Sequence, residues 1–137
     1  MMEIRETKLK DYKQIYDLLE SEEMNINNLT KNKFSSMLKK NKGGYFVALD
    51  KKNVIGNIFS NYDGGNYVYI YKLITNKNYR KKGIANLLIK KVLTKYNKKD
   101  LWVYCHIRKE NKSSIKAFAK LGFKIRKKHR LFDVVIK

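Results

Sequence analysis

The sequence has no proline, one cysteine, two histidines and 12 acidic residues against 32 basic ones in 137 positions. The lone thiol, Cys105, rules out an intrachain disulfide. His106 and His129 lie far apart, and with a single cysteine they make no recognisable zinc set, so no resident metal is expected. No apolar run approaches the roughly 20 residues needed to cross a bilayer. The opening Met1-Met2-Glu3-Ile4-Arg5 lacks a secretory apolar core. These absences give the expectation of a cytoplasmic protein with no membrane partner. The length is near the commonest domain size, and 43% of residues are apolar. Both point to one folded domain spanning 1–137.

Basic charge is what the chain has in excess, a formal +20. Nucleic acid is the obvious partner for such a charge, yet 27 of the basic residues are Lys and five are Arg. Phosphate and base readers lean on the planar fork of Arg. Asn (14) and Ile (13) are abundant as well, and with Lys they share A/T-rich codons, a compositional source of basicity. The charge is also polarised: residues 1–23 hold four basic and seven acidic groups, and the rest of the chain carries all of the excess.

Periodicity predicts the order β-α-α-β-β-β-α-β-α-β-β, an α+β fold with helices on both faces of a mixed, mostly antiparallel sheet. Residues 2–5 alternate like a strand. Leu9, Tyr12, Ile15, Tyr16 and Leu19 have helical spacing over 8–20, with Thr7 as N-cap. A weaker helix covers 30–41, and strands follow at 45–49 and 54–60. Asp63-Gly64-Gly65-Asn66 marks a turn before a long strand, 67–75, with Tyr67, Tyr69 and Tyr71 on one face. Residues 83–96 form the strongest amphipathic helix. A strand at 101–107, a helix at 111–121 and strands at 123–126 and 131–136 complete the chain.

Chemistry concentrates in Leu73-Ile74-Thr75-Asn76-Lys77-Asn78-Tyr79-Arg80-Lys81-Lys82-Gly83-Ile84-Ala85, where a strand ends, a basic loop turns and a helix starts. Backbone N–H groups at a helix N-terminus attract anions, helped by the macrodipole. Gly83 and Ala85 let a phosphate approach the backbone, and Arg80, Lys81 and Lys82 add charge. These properties predict a pyrophosphate-type site; the plain alternative is an ordinary strand–helix turn with exposed lysines.

Arg80-x-x-Gly83-x-Ala85 resembles the acyl-CoA-binding signature of the GNAT (Gcn5-related) N-acetyltransferases. Downstream, Asn111-x-x-Ser114-x-x-x-Phe118-x-x-x-Gly122-Phe123 resembles the family segment that ends in a Gly-Phe turn, and the element order is similar over nearly the full length. The resemblance implies acetyl-CoA as co-substrate, its pyrophosphate on the N–H groups of residues 80–85, Ile84 included. It implies a pantetheine arm laid along Leu73, Ile74 and Thr75, in a strand whose bulge splays it from the next one. It also implies contacts from Asn111, Ser114 and Phe118, and an oxyanion donor at a backbone N–H near Ile74. The reaction implied is direct attack by a primary amine, small or borne on a protein, with no covalent enzyme intermediate. A homodimer stays open.

The chain departs from that pattern in places. Thr75 and Lys77 stand where valine and proline are common, and Ala85 replaces a frequent glycine. Phe118 stands where many members carry a proton-donating tyrosine, and Phe cannot donate. Tyr69, Tyr71 and Tyr104 are the alternative donors or relays, set against plain packing against helices. His106 is a candidate base, set against a structural role. Cys105 is expected in the core, and His129 on a solvated basic face. In the resemblance, the connection after the first helix borders the acceptor. Here it holds Glu20, Glu22 and Glu23, which suit a cationic amine or are simply a solvated helix end. Two other functions stay in view: a CoA-binding module of the same fold without turnover, and, less favoured, a nucleic-acid-binding domain.

Overall fold

The computed structural model describes residues 2–22, 24, 26, 28–98, 100–128 and 132–137. Glu23 and His129 lie outside the described residues. Seven strands make one sheet: β1 (Met2–Glu6), β2 (Phe46–Asp50), β3 (Asn53–Tyr62), β4 (Tyr67–Thr75), β5 (Trp102–Arg108), β6 (Lys124–Lys128) and β7 (Phe132–Ile136). Their spatial order is β1-β2-β3-β4-β5-β7-β6. Only β4 and β5 run parallel; every other neighbouring pair is antiparallel. Four helices cover the sheet: α1 (Tyr12–Ser21), α2 (Lys31–Lys40), α3 (Ile84–Lys95) and α4 (Lys112–Lys120). The fold class and element order are those the periodicity predicts. A parallel pair needs a crossover, and α3 supplies it. Among the described residues no helix is long and apolar enough to cross a membrane.

Strand alternation divides the core into two layers. On one face Val68, Ile70, Val103, Cys105, Ile107 and Val135 pack with Ile84, Leu88, Ile89 and Val92 of α3 and Phe118 of α4. On the other, Val47, Leu49, Phe59 and Ile74 pack with Ile15, Leu18 and Leu19 of α1 and Phe34 of α2. Each such side chain contributes about 1.5–3 kcal/mol when fully buried. α3 lies close to the sheet over Gly56, where a Cβ would stand 3.1 Å from the Ile84 side chain and 3.2 Å from that of Leu88.

Thr7 does not cap α1. Its N–H donates to the Tyr45 carbonyl (2.9 Å), which keeps it in register with the sheet, and its buried hydroxyl has no partner among the described residues. The expected helix over 8–20 therefore splits into a 3-10 turn, Leu9–Asp11, followed by α1. Asp11 organises the junction. Its carboxylate accepts from the Lys8 N–H (2.8 Å) and from both terminal nitrogens of Arg5 (2.9 Å each). Thr30 and Asn111 do cap helices, accepting from the N–H groups of Lys33 (3.1 Å) and Ser114 (3.2 Å).

Burial pushes the Asp11 carboxyl up, but the Arg5 guanidinium and the Lys8 N–H outweigh it and hold the group below the usual carboxylate range. A lowered folded-state value means stabilisation that is complete above the unfolded value and lost as pH falls through the folded one. Asp11→Asn is expected to cost about 1–3 kcal/mol at neutral pH. Urea titrations should find that cost shrinking as pH drops below about 4.

Candidate active site

The site begins with an irregularity in β4. Phe59 of β3 pairs with Tyr71 and Asn57 with Ile74, so β4 carries one residue more than β3 over the same stretch. Lys72 absorbs it at φ +51°, a left-handed conformation that costs an L-residue about 1–2 kcal/mol. Asn57, fully buried, donates its side-chain N–H to the Lys72 carbonyl (3.0 Å). On the other side of β4 the parallel ladder runs from Tyr67–Trp102 to Ile70–Cys105 and ends there. β5 continues with β7 as far as Arg108–Phe132. The two central strands therefore separate, and the edge of residues 71–75 turned toward β5 has no strand against it. Leu73 and Thr75 are half-buried on this edge, and Ile74 is buried.

At the mouth of the split lies the basic loop. The Asn76 N–H holds its start to the Ile55 carbonyl (2.7 Å), and a 3-10 turn, Lys77–Tyr79, follows. Tyr79 donates to Asp50 (2.7 Å) and carries the Lys82 ammonium over its ring at 5.4 Å. Lys81 and Gly83 are both left-handed, at φ +65° and +78°. Such alternation turns successive N–H groups into one concavity, a nest for anions. The first bond of α3 runs from the Leu87 N–H to the Gly83 carbonyl (3.1 Å), so the preceding amides, Ile84 and Ala85 among them, have no intrahelical acceptor. A Cβ on Gly83 would meet nothing within 4 Å, so the loop backbone is uncovered on that side. Arg80 lies against the Thr75 carbonyl and forms an ion pair with Glu22.

The face of β4 and β5 toward α1 is aromatic. Tyr69 and Tyr71 stack with centroids 5.4 Å apart, and Tyr69 also lies 5.0 Å from Tyr104 and 5.3 Å from His106. His106 is exposed and Tyr104 half-buried. The Tyr71 hydroxyl is engaged by that of Tyr45 (2.9 Å) and by Asn61 (3.2 Å), whereas no hydrogen bond to the Tyr69 hydroxyl is present among the described residues. Burial holds the Tyr69 and Tyr71 hydroxyls above their ordinary values.

The remaining expected residues divide. Phe118 is buried, edge-on to Phe123 at 4.9 Å. Asn111 uses its side-chain oxygen to cap α4, and Ser114 is half-buried in the first turn. Glu22 is drawn onto Arg80 and so joins the basic loop, while Glu20 is exposed. Cys105 faces the core with its thiol pushed up to about 12 by burial, on the side opposite His106. Among the described residues no group of three His, Cys, Asp or Glu is placed to hold a metal. Sequence reasoning missed Asn57, Lys72, Tyr45 and Asn61. The one available signal is Asn57, a polar residue inside the apolar strand 54–60.

The fold and site together define a sheet split beyond a bulged central strand, with a basic loop at the mouth of the split. The chain belongs to the acetyltransferase (GNAT) family, which it matches over residues 3–123. Solved structures of similar fold include the PaiA N-acetyltransferase of Thermoplasma acidophilum in complex with coenzyme A. It has TM-score 0.82 and 16% identity, over 100% of this chain and 98% of that one. Arabidopsis thaliana Naa50, in complex with the bisubstrate analogue CoA-Ac-MVNAL, has TM-score 0.80 and 21% identity over 99% and 97%. A GNAT-family acetyltransferase of Streptococcus pneumoniae has TM-score 0.79 and 17% identity over 99% and 96%. At such identities the likeness is one of fold. No curated protein sequence matches the chain significantly.

The bulge rests on Asn57. Asn57→Ala leaves the Lys72 carbonyl without its side-chain donor and is expected to cost about 1–3 kcal/mol, measurable by thermal or urea unfolding.

Proposed function

We propose that the chain is an N-acetyltransferase, a single catalytic domain that moves the acetyl group of acetyl-CoA to a primary amine by direct attack within a ternary complex. The carrying observation is the end of the β4–β5 ladder at Ile70–Cys105, beside the bulge at Lys72. An extended arm can pair there as an added strand along Leu73, Ile74 and Thr75, and a backbone N–H near Ile74 is positioned to meet developing negative charge on the carbonyl oxygen. The loop fits the other end of the molecule. Its left-handed Lys81 and Gly83 and uncovered backbone suit a pyrophosphate, with Arg80, Lys81 and Lys82 around it. Coenzyme A complexes of relatives with this fold support the same assignment.

When bound, acetyl-CoA supplies an activated carbonyl and a thiol leaving group. The chain supplies proton handling. The attacking nitrogen forms a C–N bond as the C–S bond breaks, so one proton leaves the nitrogen and one must reach sulfur. His106 takes the first, since imidazole is the side chain whose ordinary titration falls near neutral pH. Tyr69, held protonated by its raised pKa and 5.3 Å from the imidazole between ring centroids, gives the second. Tyr71 keeps its hydroxyl in the Tyr45–Asn61 network and orients Tyr69 by stacking. Tyr104 walls the acceptor side, and Glu20, exposed in the last turn of α1, is the acidic group left to attract the amine.

One observation favours a second reading. Phe118 is sealed in the core and donates nothing, as a binding module without turnover allows. Thermal protection by acetyl-CoA without thiol release from any of a panel of amines would establish that reading.

Two substitutions test the first. Gly83→Val forces a β-branched residue into φ +78° and so distorts the loop; calorimetric titration should find acetyl-CoA binding at least tenfold weaker. His106→Gln should lower kcat about 10²-fold and leave acetyl-CoA affinity unchanged.

A further inference from the structure

The aromatic face extends past Tyr69 into a concavity that shares Tyr69 and Tyr104 with the acceptor side of the split. A cavity of about 240 Å3 is lined by Asn61, Tyr62, Asp63, Tyr67, Tyr69 and Tyr104. Tyr67 stands perpendicular to Tyr104, centroids 6.0 Å apart, and Tyr69 adds a third ring 5.0 Å from Tyr104. Asp63 is fixed at the rim. One carboxylate oxygen accepts from the N–H groups of Gly65 (2.7 Å) and Tyr67 (3.1 Å), and no cation pairs with it among the described residues. In a chain of net charge +20, a carboxylate lining one concavity with three tyrosine rings reverses the prevailing surface. Ring faces attract cations and so does the carboxylate; an anion is disfavoured by both.

The concavity is also short. The Asp63 N–H bonds to the Tyr67 carbonyl (3.0 Å) and the Trp102 N–H to the Asn66 carbonyl (2.7 Å) where the two strands begin. One alternate residue along β4, Tyr69 to Tyr67, is about 7 Å at strand rise. Three or four methylene groups bridge such a gap between the proton-handling Tyr69 and Tyr67.

We propose that Tyr67, Tyr69, Tyr104 and Asp63 form a second cation subsite, which takes the distal ammonium of a small di- or polyamine while its other amine is acetylated at the split. The assignment deepens the acetyl-transfer reading and rests on it.

The test uses the full chain and two variants. Asp63→Asn keeps the oxygen that holds the turn and removes only the charge; Tyr67→Leu keeps apolar bulk and removes the ring. Far-UV circular dichroism and urea midpoints establish that both fold. In a first arm, spermidine and tetramethylammonium are titrated without acetyl-CoA while the ring resonances of Tyr67 and Tyr104 are followed by NMR. Both probes are expected to shift these resonances in the wild type, with spermidine binding at least tenfold weaker in Asp63→Asn. In a second arm, the ratio of kcat/KM for spermidine to that for n-butylamine is expected to fall about tenfold in each variant. Acetyl-CoA affinity is measured alongside. Absence of ring shifts while acetyl-CoA still binds would overturn the cage and leave acetyl transfer standing. Ring shifts in a protein that does not bind acetyl-CoA would support the cage and overturn the transfer reading. A lysine-bearing tripeptide that shifts the rings where spermidine does not would overturn the assignment to a small polyamine.

Discussion

The hydrogen bond from the buried Asn57 amide to the Lys72 carbonyl holds the centre of the sheet open. A regular β4 would carry its parallel ladder on past Cys105 and close the sheet from edge to edge. Instead one extra residue enters at a left-handed Lys72, the ladder stops at Ile70, and β4 and β5 part. The same insertion changes which face later residues occupy. Tyr71 and Ile74 are three apart, a spacing that puts them on opposite faces of a regular strand, yet both pack in the layer beneath α1 and α2. One side-chain contact therefore sets the opening, the direction of the residues that line it and the aromatic row beside it. The backbone strain is offset by a bond to a group that is otherwise expensive to bury.

Charge is arranged around this opening in two registers. The loop side is uniformly basic in sequence, ten basic residues and no acidic one from Lys72 to Lys99. Its Arg80 is partly neutralised by Glu22, which reaches across from the end of α1. The aromatic side is different: its one fixed acid, Asp63, is held by backbone N–H groups and has no cationic neighbour among the described residues. A dianionic ligand and a cationic one can thus approach the same split from different sides, each toward complementary charge. At physiological ionic strength the Debye length is about 8 Å, so the distant lysines matter less to either ligand than these local groups.

Much of this was legible in the residues. Period-two alternation in 67–75 and helical spacing in 83–96 placed the strand and helix that bracket the loop. Gly83 was legible as room for a phosphate, whereas its left-handed backbone is a finding of the structure. What escaped depended on partners distant in sequence. The resemblance implied a bulge in this strand, but its place at Lys72 leaves no local mark; Asn57, fifteen residues earlier, supplies the reason. Thr7 has the chemistry of an N-cap but was lost to pairing with Tyr45, a tertiary demand that overrides local preference. Glu22 read as an acceptor-side acid, and only the return of the chain to Arg80 showed where its charge is used. Phe118 was read correctly as unable to donate a proton, though its burial against Phe123 came from the packing of α4.

The placement of Cys105 has a practical side. It is the only thiol in the chain, it points into the α3 layer, and burial pushes its pKa up to about 12. Thiol-modifying reagents react with the accessible thiolate, and at assay pH the folded protein presents essentially none. A chromogenic thiol reagent can therefore be left in the reaction mixture throughout turnover, where each colour-forming event counts one carrier thiol released and none is lost to the protein.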